Sequence, residues 1–293
     1  MQMKSRRYII AGLLLLAPAW IATAKEKPRK KPAVKPSPVV SASPAPSPTP
    51  TPPASPYALG DQLFYGRADG TKAQEALKVF RELWQKNPQD FEAGWRVSMA
   101  CYFVGIRLTP EGEPREKLYA EGRDIGKESI KLAKEKKLPC AACNFWTAIN
   151  MALYGESVGV FKMLFTLNEI QTLLKASIEA DPSFAYAGAY RLLGMIEWKL
   201  PGILGGSNSR AKDYFEKAIA QGPTEPLNYL FLARLLDDKF DERAEALNWA
   251  KKGLEVPVPT PDRLEALDAL KDLQEFIQTH PAPTPEKPPE KAD

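Results

Sequence analysis

The sequence predicts an all-α fold, an array of about five helix hairpins finished by a capping helix. Two observations carry this. From Tyr57 to His280, apolar residues recur at steps of three and four, with few β-branched alternations. A small residue, a large apolar one, a second apolar residue and a proline then follow at steps of four, three and five. They stand at Ala76, Phe80, Leu83 and Pro88, and again at Ala211, Phe215, Ala218 and Pro223. The small residues let a facing helix approach, and the large one fills the gap. The proline stops the helix, because its ring clashes with the preceding turn.

The elements follow in order. The spacing predicts helices over 57–67 and 72–86, then 90–106 and 114–136, with Asp90 as an N-cap. The next pairs are 140–155 with 160–180, 183–199 with 208–221, and 225–237 with 241–254; a final helix over 261–279 caps the stack. Weaker copies of the pattern stand at Ile170, Leu174, Ser177 and Pro182, and at Gly126, Ile130, Ala133 and Pro139. Ala246, Ala250 and Gly253 precede Pro257. The closing prolines 88, 139, 182, 223 and 257 lie 51, 43, 41 and 34 residues apart. Tetratricopeptide-type repeats keep about 34 throughout, so insertions are expected between paired helices, at Gly105–Pro114 and Pro201–Ser207. The expected architecture is a tetratricopeptide-like right-handed superhelix over residues 57–280.

The insertion PGILGGS, joining FAYAGAYRLLGMIEWKL to the helix of AKDYFEKAI, resembles the T component of TRAP-type transporters, the TatT-like tetratricopeptide family. The residues of the resemblance are Pro201, Gly202, Gly205 and Gly206. It covers roughly Glu75 to Pro257. It implies a periplasmic helical-repeat protein that partners a substrate-binding subunit, takes an apolar or acidic small ligand, and in some members forms homo-oligomers. This chain departs from the lipoprotein members, having no attachment cysteine near residue 25. A related resemblance, to eukaryotic microtubule-dynamics regulators on a similar array, is set aside because of the export signal described next.

Lys4, Arg6 and Arg7 precede an apolar run from Tyr8 to Leu16, and Ala22-Thr23-Ala24 fits a cleavage site. Residues 1–24 are therefore expected to be a signal peptide, and the protein periplasmic or secreted. The alternative is an uncleaved inner-membrane anchor facing the periplasm. Residues 25–56 hold eleven prolines and read as a polyproline-type disordered linker; extended, it would reach about 100 Å. Residues 281–293 read as a disordered tail. Nine of the basic residues and one acid fall in residues 1–35, leaving four more acids than bases in the remainder. The positive balance thus belongs to the arm, which argues against a nucleic-acid partner. Membrane contact is expected only through an uncleaved leader or the basic linker.

Catalysis has little support in the sequence. The single histidine, His280, sits at the edge of the domain, and no metal, cofactor or catalytic residue is assigned. Cys140 and Cys143 read as a structural feature, a disulfide or buried free thiols, since a redox motif would sit beside a β-α-β unit. Cys101 reads as an apolar filler. Gly205-Gly206-Ser207-Asn208 lacks the lysine of a phosphate loop and reads as a tight turn with Ser207 or Asn208 capping the next helix. Asp237, Asp238, Asp241 and Glu242 read as a solvated connector. The first helices of the hairpins carry the candidate binding residues: Trp95, Arg96, Tyr102, Trp146, Asn150, Tyr154, Tyr190, Arg191 and Trp198. Rings with a few Arg and Asn suit an apolar ligand with an acidic head, or a peptide. Arg96 and Arg191 stand out, since an unpaired charge in an apolar helix is costly. Two functions follow: an adaptor assisting a solute receptor in TRAP-type transport, or a cell-envelope protein–protein scaffold.

Overall fold

The computed structural model describes residues 55–257, 260 and 263–280, apart from the side chains of 160–163. The signal, linker and tail expected at 1–24, 25–56 and 281–293 lie outside the described residues, apart from Ser55 and Pro56 at the linker's end. Five hairpins and a last helix appear. The pairs are α1 (Ala58–Tyr65) with α2 (Gly70–Lys86), and α3 (Phe91–Leu108) with α4 (Glu113–Glu135). They continue with α5 (Ala141–Val158) and α6 (Val160–Ala180), α7 (Phe184–Lys199) and α8 (Asn208–Gln221), and α9 (Pro226–Leu235) and α10 (Arg243–Leu254). The last helix is α11 (Leu264–Thr279). No strand occurs among the described residues. Each helix packs on the next, and α3, α5, α7, α9 and α11 also touch in succession, forming a common inner face.

The helix ends follow from the sequence. Asp90 caps α3, accepting hydrogen bonds from the Glu92 and Ala93 amides. Asp69 caps α2 and Ser207 caps α8 in the same way. Pro88, Pro139, Pro182, Pro223 and Pro257 each follow within a few residues of the end of an outer helix, as the stop role requires. The Gly105–Pro114 insertion is largely helical: α3 continues through it to Leu108.

Two of the hairpins close through inner-helix glycines facing outer-helix phenylalanine rings. Gly194 of α7 lies against the Phe215 ring of α8, where an added Cβ would come within 2.6 Å of it. Gly60 of α1 receives Phe80 of α2 in the same manner. Phe80, Phe215, Ala76, Ala211 and Ala218 are completely buried. These contacts hold the two outer helices close to their inner partners.

Two segments depart from the expected pattern. Ala185, Tyr186 and Ala187 adopt φ of 50°, 55° and 60°, so the right-handed part of α7 begins only at Gly188. Left-handed backbone costs about 1–2 kcal/mol per residue, and neighbouring groups hold it, as described below. The acidic cluster is also not merely solvated. Asp237 pairs with Arg243 at 2.9 Å and faces His280 at 3.5 Å, and Asp238 accepts a hydrogen bond from the Trp198 indole at 3.1 Å. The chain there forms a π turn, Leu236–Phe240, which turns these carboxylates back onto the fold.

Gly194→Ala is expected to force the Phe215 ring out of place and to destabilise the domain by about 1–3 kcal/mol, the usual cost of overpacking. Urea denaturation checks this, and Phe215→Leu in the same chain should recover part of the loss.

Candidate ligand cavity on the inner face

A cavity of about 340 Å³ lies on the inner face. Its walls come from α1, α3, α5, the α7 region and α9, and α11 contributes Glu265, Ala266, Asp268, Ala269 and Asp272. The last helix is therefore a wall of the cavity as well as a cap. Its first turn reaches the opposite end of the array, where Leu264 packs against the core formed by α2 and α3.

Three ion pairs fix α11. Arg107 of α3 donates to Asp268 at 3.0 Å from both terminal nitrogens and lies 3.9 Å from Glu265. Arg263, just before α11, donates to the buried Glu225 at 2.8 Å and lies over the Tyr186 ring. Arg234 of α9 pairs with Asp272 at 3.2 Å. Burial raises the Asp272 pKa and lowers that of Arg234, although each attracts the other's charged form. The sequence held a signal for this arrangement. Glu265, Asp268 and Asp272 share one face of α11 with Ala269, Leu273 and Phe276, while arginines stand on the inner helices.

Of the residues expected to bind, the structure brings Tyr102, Trp146 and Arg191 together around the cavity. Tyr102 packs on Trp146 with ring centroids 5.5 Å apart, and burial raises the Tyr102 pKa. The Trp146 indole N–H is buried with no acceptor among the described residues. Arg191 donates to Asn228 Oδ1 at 2.6 Å and to the Tyr186 carbonyl at 3.3 Å. Burial lowers its pKa, with Glu225 the strongest opposing charge.

The other six lie away from the cavity. Arg96 pairs with Asp61 and Glu92, both at 2.8 Å, and stacks on Tyr57 and Trp95, tying α1 to α3. Trp95 itself donates to Glu92. Asn150 is buried and donates to the Ser98 carbonyl at 2.9 Å, joining α3 to α5. Tyr154 packs under Arg123, Tyr190 faces Tyr214, and Trp198 packs edge-on to Phe215. Sequence reasoning did not name Phe103, Phe145 or Phe231, which supply much of the apolar wall. Their positions read equally well as ordinary core.

Asn228 is the polar hub beneath the cavity. Fully buried, it donates to the carbonyls of Tyr186, Ala218 and Gly222 at 3.2, 2.9 and 2.9 Å while accepting from Arg191. It thereby holds the left-handed turn of Ala185–Ala187, whose Ala185 and Tyr186 also line the cavity. Backbone held in sparsely populated regions tends to cluster at functional sites.

The Pro201–Gly206 hairpin lies elsewhere. Gly205 has φ 95°, and a Cβ on Gly206 would overlap the Leu200 carbonyl, so both glycines are required. The amides of Leu204, Gly206 and Ser207 donate to Pro201, Pro201 and Glu197 carbonyls. Ile203 is 95% exposed at the tip beside Leu204. Cys140 and Cys143 form a disulfide at the start of α5, and Cys101 is buried and free. No group of metal-ligating side chains occurs among the described residues.

With this geometry in view, the chain resembles known proteins in two ways. The family described as "Regulator of microtubule dynamics protein 1-3" matches residues 58–200. Regulator of microtubule dynamics protein 1 of Caenorhabditis elegans is 28% identical over 127 residues, 43% of this chain and 52% of the relative. The chain thus spans about half the length of that curated relative. These matches fall on the resemblance that was set aside above, and the family match stops just before Pro201. A solved tetratricopeptide-repeat protein of Thermus thermophilus covers 74% of this chain and 97% of its own length, at 22% identity and a TM-score of 0.52. The fold is a tetratricopeptide-type array.

Asn228→Ala should leave the carbonyls of Tyr186, Ala218 and Gly222 each short of a donor and Arg191 short of an acceptor. A loss of about 1–3 kcal/mol is expected, read from the urea midpoint, with the far-ultraviolet helical signal retained below the transition.

Proposed function

We propose that the protein is a binding and adaptor module that carries a small guest between its inner helices and α11. The cavity of about 340 Å³ carries this reading. Small-ligand sites typically enclose about 300–1,000 Å³ between apolar walls with a few polar groups. An array without such a closing helix would present an open groove to a peptide or partner helix. Here α11 takes up part of that face, which favours a small guest.

The export signal expected in residues 1–24 and the hairpin at Pro201–Gly206 support a finer reading. The module would work in the periplasm, free or anchored, beside a solute receptor in TRAP-type transport. The action in the microtubule regulators' name is not carried over, since export would separate this chain from microtubules. Native mass spectrometry of full-length protein purified from cell envelopes should show a non-protein mass that leaves on unfolding. A guest-free spectrum, together with no binding to a periplasmic solute receptor, would sink the reading.

One observation favours a second reading, an envelope protein–protein scaffold. The hairpin tip presents Ile203 and Leu204 on a hydrogen-bonded turn. Under this reading, pull-down from envelope extracts recovers only cell-wall or outer-membrane assembly proteins, and Ile203→Ser abolishes their capture. Capture unchanged by that substitution counts against it.

A further inference from the structure

We infer that the cavity is built for an amphiphilic monoanion, its head held by the Arg191 guanidinium and the Trp146 indole N–H and its apolar body lying among the surrounding rings. This rests on the guest-binding reading above and names the chemistry of the guest.

The argument starts from the cations around the cavity. Arg107 is committed to Asp268, and Arg263 to Glu225, while Arg67 donates to the Phe64 carbonyl and lies over the Phe64 and Phe103 rings. Arg234, behind the wall, is committed to Asp272. Arg191 differs. Among the described residues no carboxylate lies within 4.0 Å of it, and its hydrogen bonds go to two neutral oxygens, of Asn228 and Tyr186. A guanidinium has five N–H donors, and these bonds engage only one of its nitrogens, Nη1. The fall in its pKa on burial reports the same thing, a desolvated charge without a counter-ion in contact.

A second donor belongs to the same cavity. The Trp146 indole nitrogen is buried without an acceptor, whereas the indoles of Trp95, Trp198 and Trp249 all have carboxylate partners. A buried unmet donor carries a desolvation cost that a ligand oxygen would remove. Arg191 is also held from behind. Asn228 grips its Nη1 and the left-handed Tyr186 carbonyl together, so the head position is organised before any guest arrives. Much of the rest of the wall is apolar, including Met99, Phe103, Phe145, Ile149 and Phe231, and the lining carboxylates Glu225, Asp268 and Asp272 are each engaged by an arginine. A cation with no carboxylate in contact, set among mostly apolar walls, suits a single negative charge on an apolar body, and disfavours a dianion or a sugar.

The test uses full-length protein stripped of bound guests. Two fluorescent probes share a ring system: anionic 8-anilinonaphthalene-1-sulfonate and neutral N-phenyl-1-naphthylamine. Decanoate and decanol serve as competitors. The wild type should bind the anionic probe more tightly, and decanoate should displace it better than decanol. Arg191→Gln should weaken the anionic probe by about 10- to 100-fold, and Trp146→Phe by about 3- to 10-fold, the ranges for hydrogen bonds donated to the anion by a charged and by a neutral group. Both variants should bind the neutral probe within about twofold of wild type, showing that the apolar walls survive. Arg191→Lys should fall between Gln and wild type. An unchanged ratio of anionic to neutral affinity in these variants overturns the proposal. Should Arg191→Gln not fold, Trp146→Phe and Arg191→Lys decide it by the same ratio. A wild type that binds the neutral probe and not the anionic one also overturns it, while leaving the cavity reading intact. If neither probe binds, both readings fall.

Discussion

The close approach of glycine to an aromatic ring, repeated in the first and fourth hairpins, sets the geometry on which much of the rest depends. Gly60 with Phe80 and Gly194 with Phe215 use the same pairing in the first and fourth hairpins. A large apolar side chain on the outer helix needs an inner helix with no Cβ at that point. The inner helices are then held at a fixed distance from the outer ones and face one another along one surface. A space bounded by α3, α5, α7 and α9 follows from that packing. Most of its wall is helix, completed by the left-handed turn at Ala185–Tyr186 and by Glu225 and Arg263 just outside α9 and α11.

Apolar packing and charge share the closure of that space. Leu273 and Phe276 bury α11 against the last hairpin, while Asp268, Glu225 and Asp272 engage arginines from three other places in the fold. A partly exposed ion pair such as Arg107–Asp268 contributes little stability individually, typically under about 1 kcal/mol. The role of these pairs here is to fix where α11 lies. The Arg263–Glu225 and Arg234–Asp272 pairs are more deeply buried, and the first sits against Tyr186, so closure of α11 and shape of the cavity wall are one structural unit.

Most of the fold was legible because it rests on local rules. The three-and-four periodicity, the closing prolines and Asp90 each act within one or two turns, and the helices stand where these signals put them. The candidate site was legible only in part. Tyr102, Trp146 and Arg191 share the cavity, but Arg96 sits in an equally apolar helix and is consumed by Asp61 and Glu92. Glu92, one turn before Arg96 in the same helix, already separates the two arginines in sequence, and the position of α1 adds Asp61. The left-handed turn at Ala185–Ala187 has no glycine to announce it, because Asn228, more than forty positions away, holds it in place. The crossing of α11 depends on long-range pairing, although its acidic face was visible in the order Glu265, Asp268, Asp272.

Repeat arrays are quasi-one-dimensional: each unit contacts only its neighbours, and unfolding can begin at either end. The contact of Arg107 with Asp268 joins residues 161 positions apart and breaks that rule. With Leu264 seated on the core of α2 and α3, the terminal hairpins guard each other. Fraying of the first hairpin removes support from the last helix, and the reverse. The chain should therefore melt as one cooperative unit. Because that contact closes a long loop, it should also form late in folding. The same link makes the stability of the first two hairpins depend on the sixteen residues of α11.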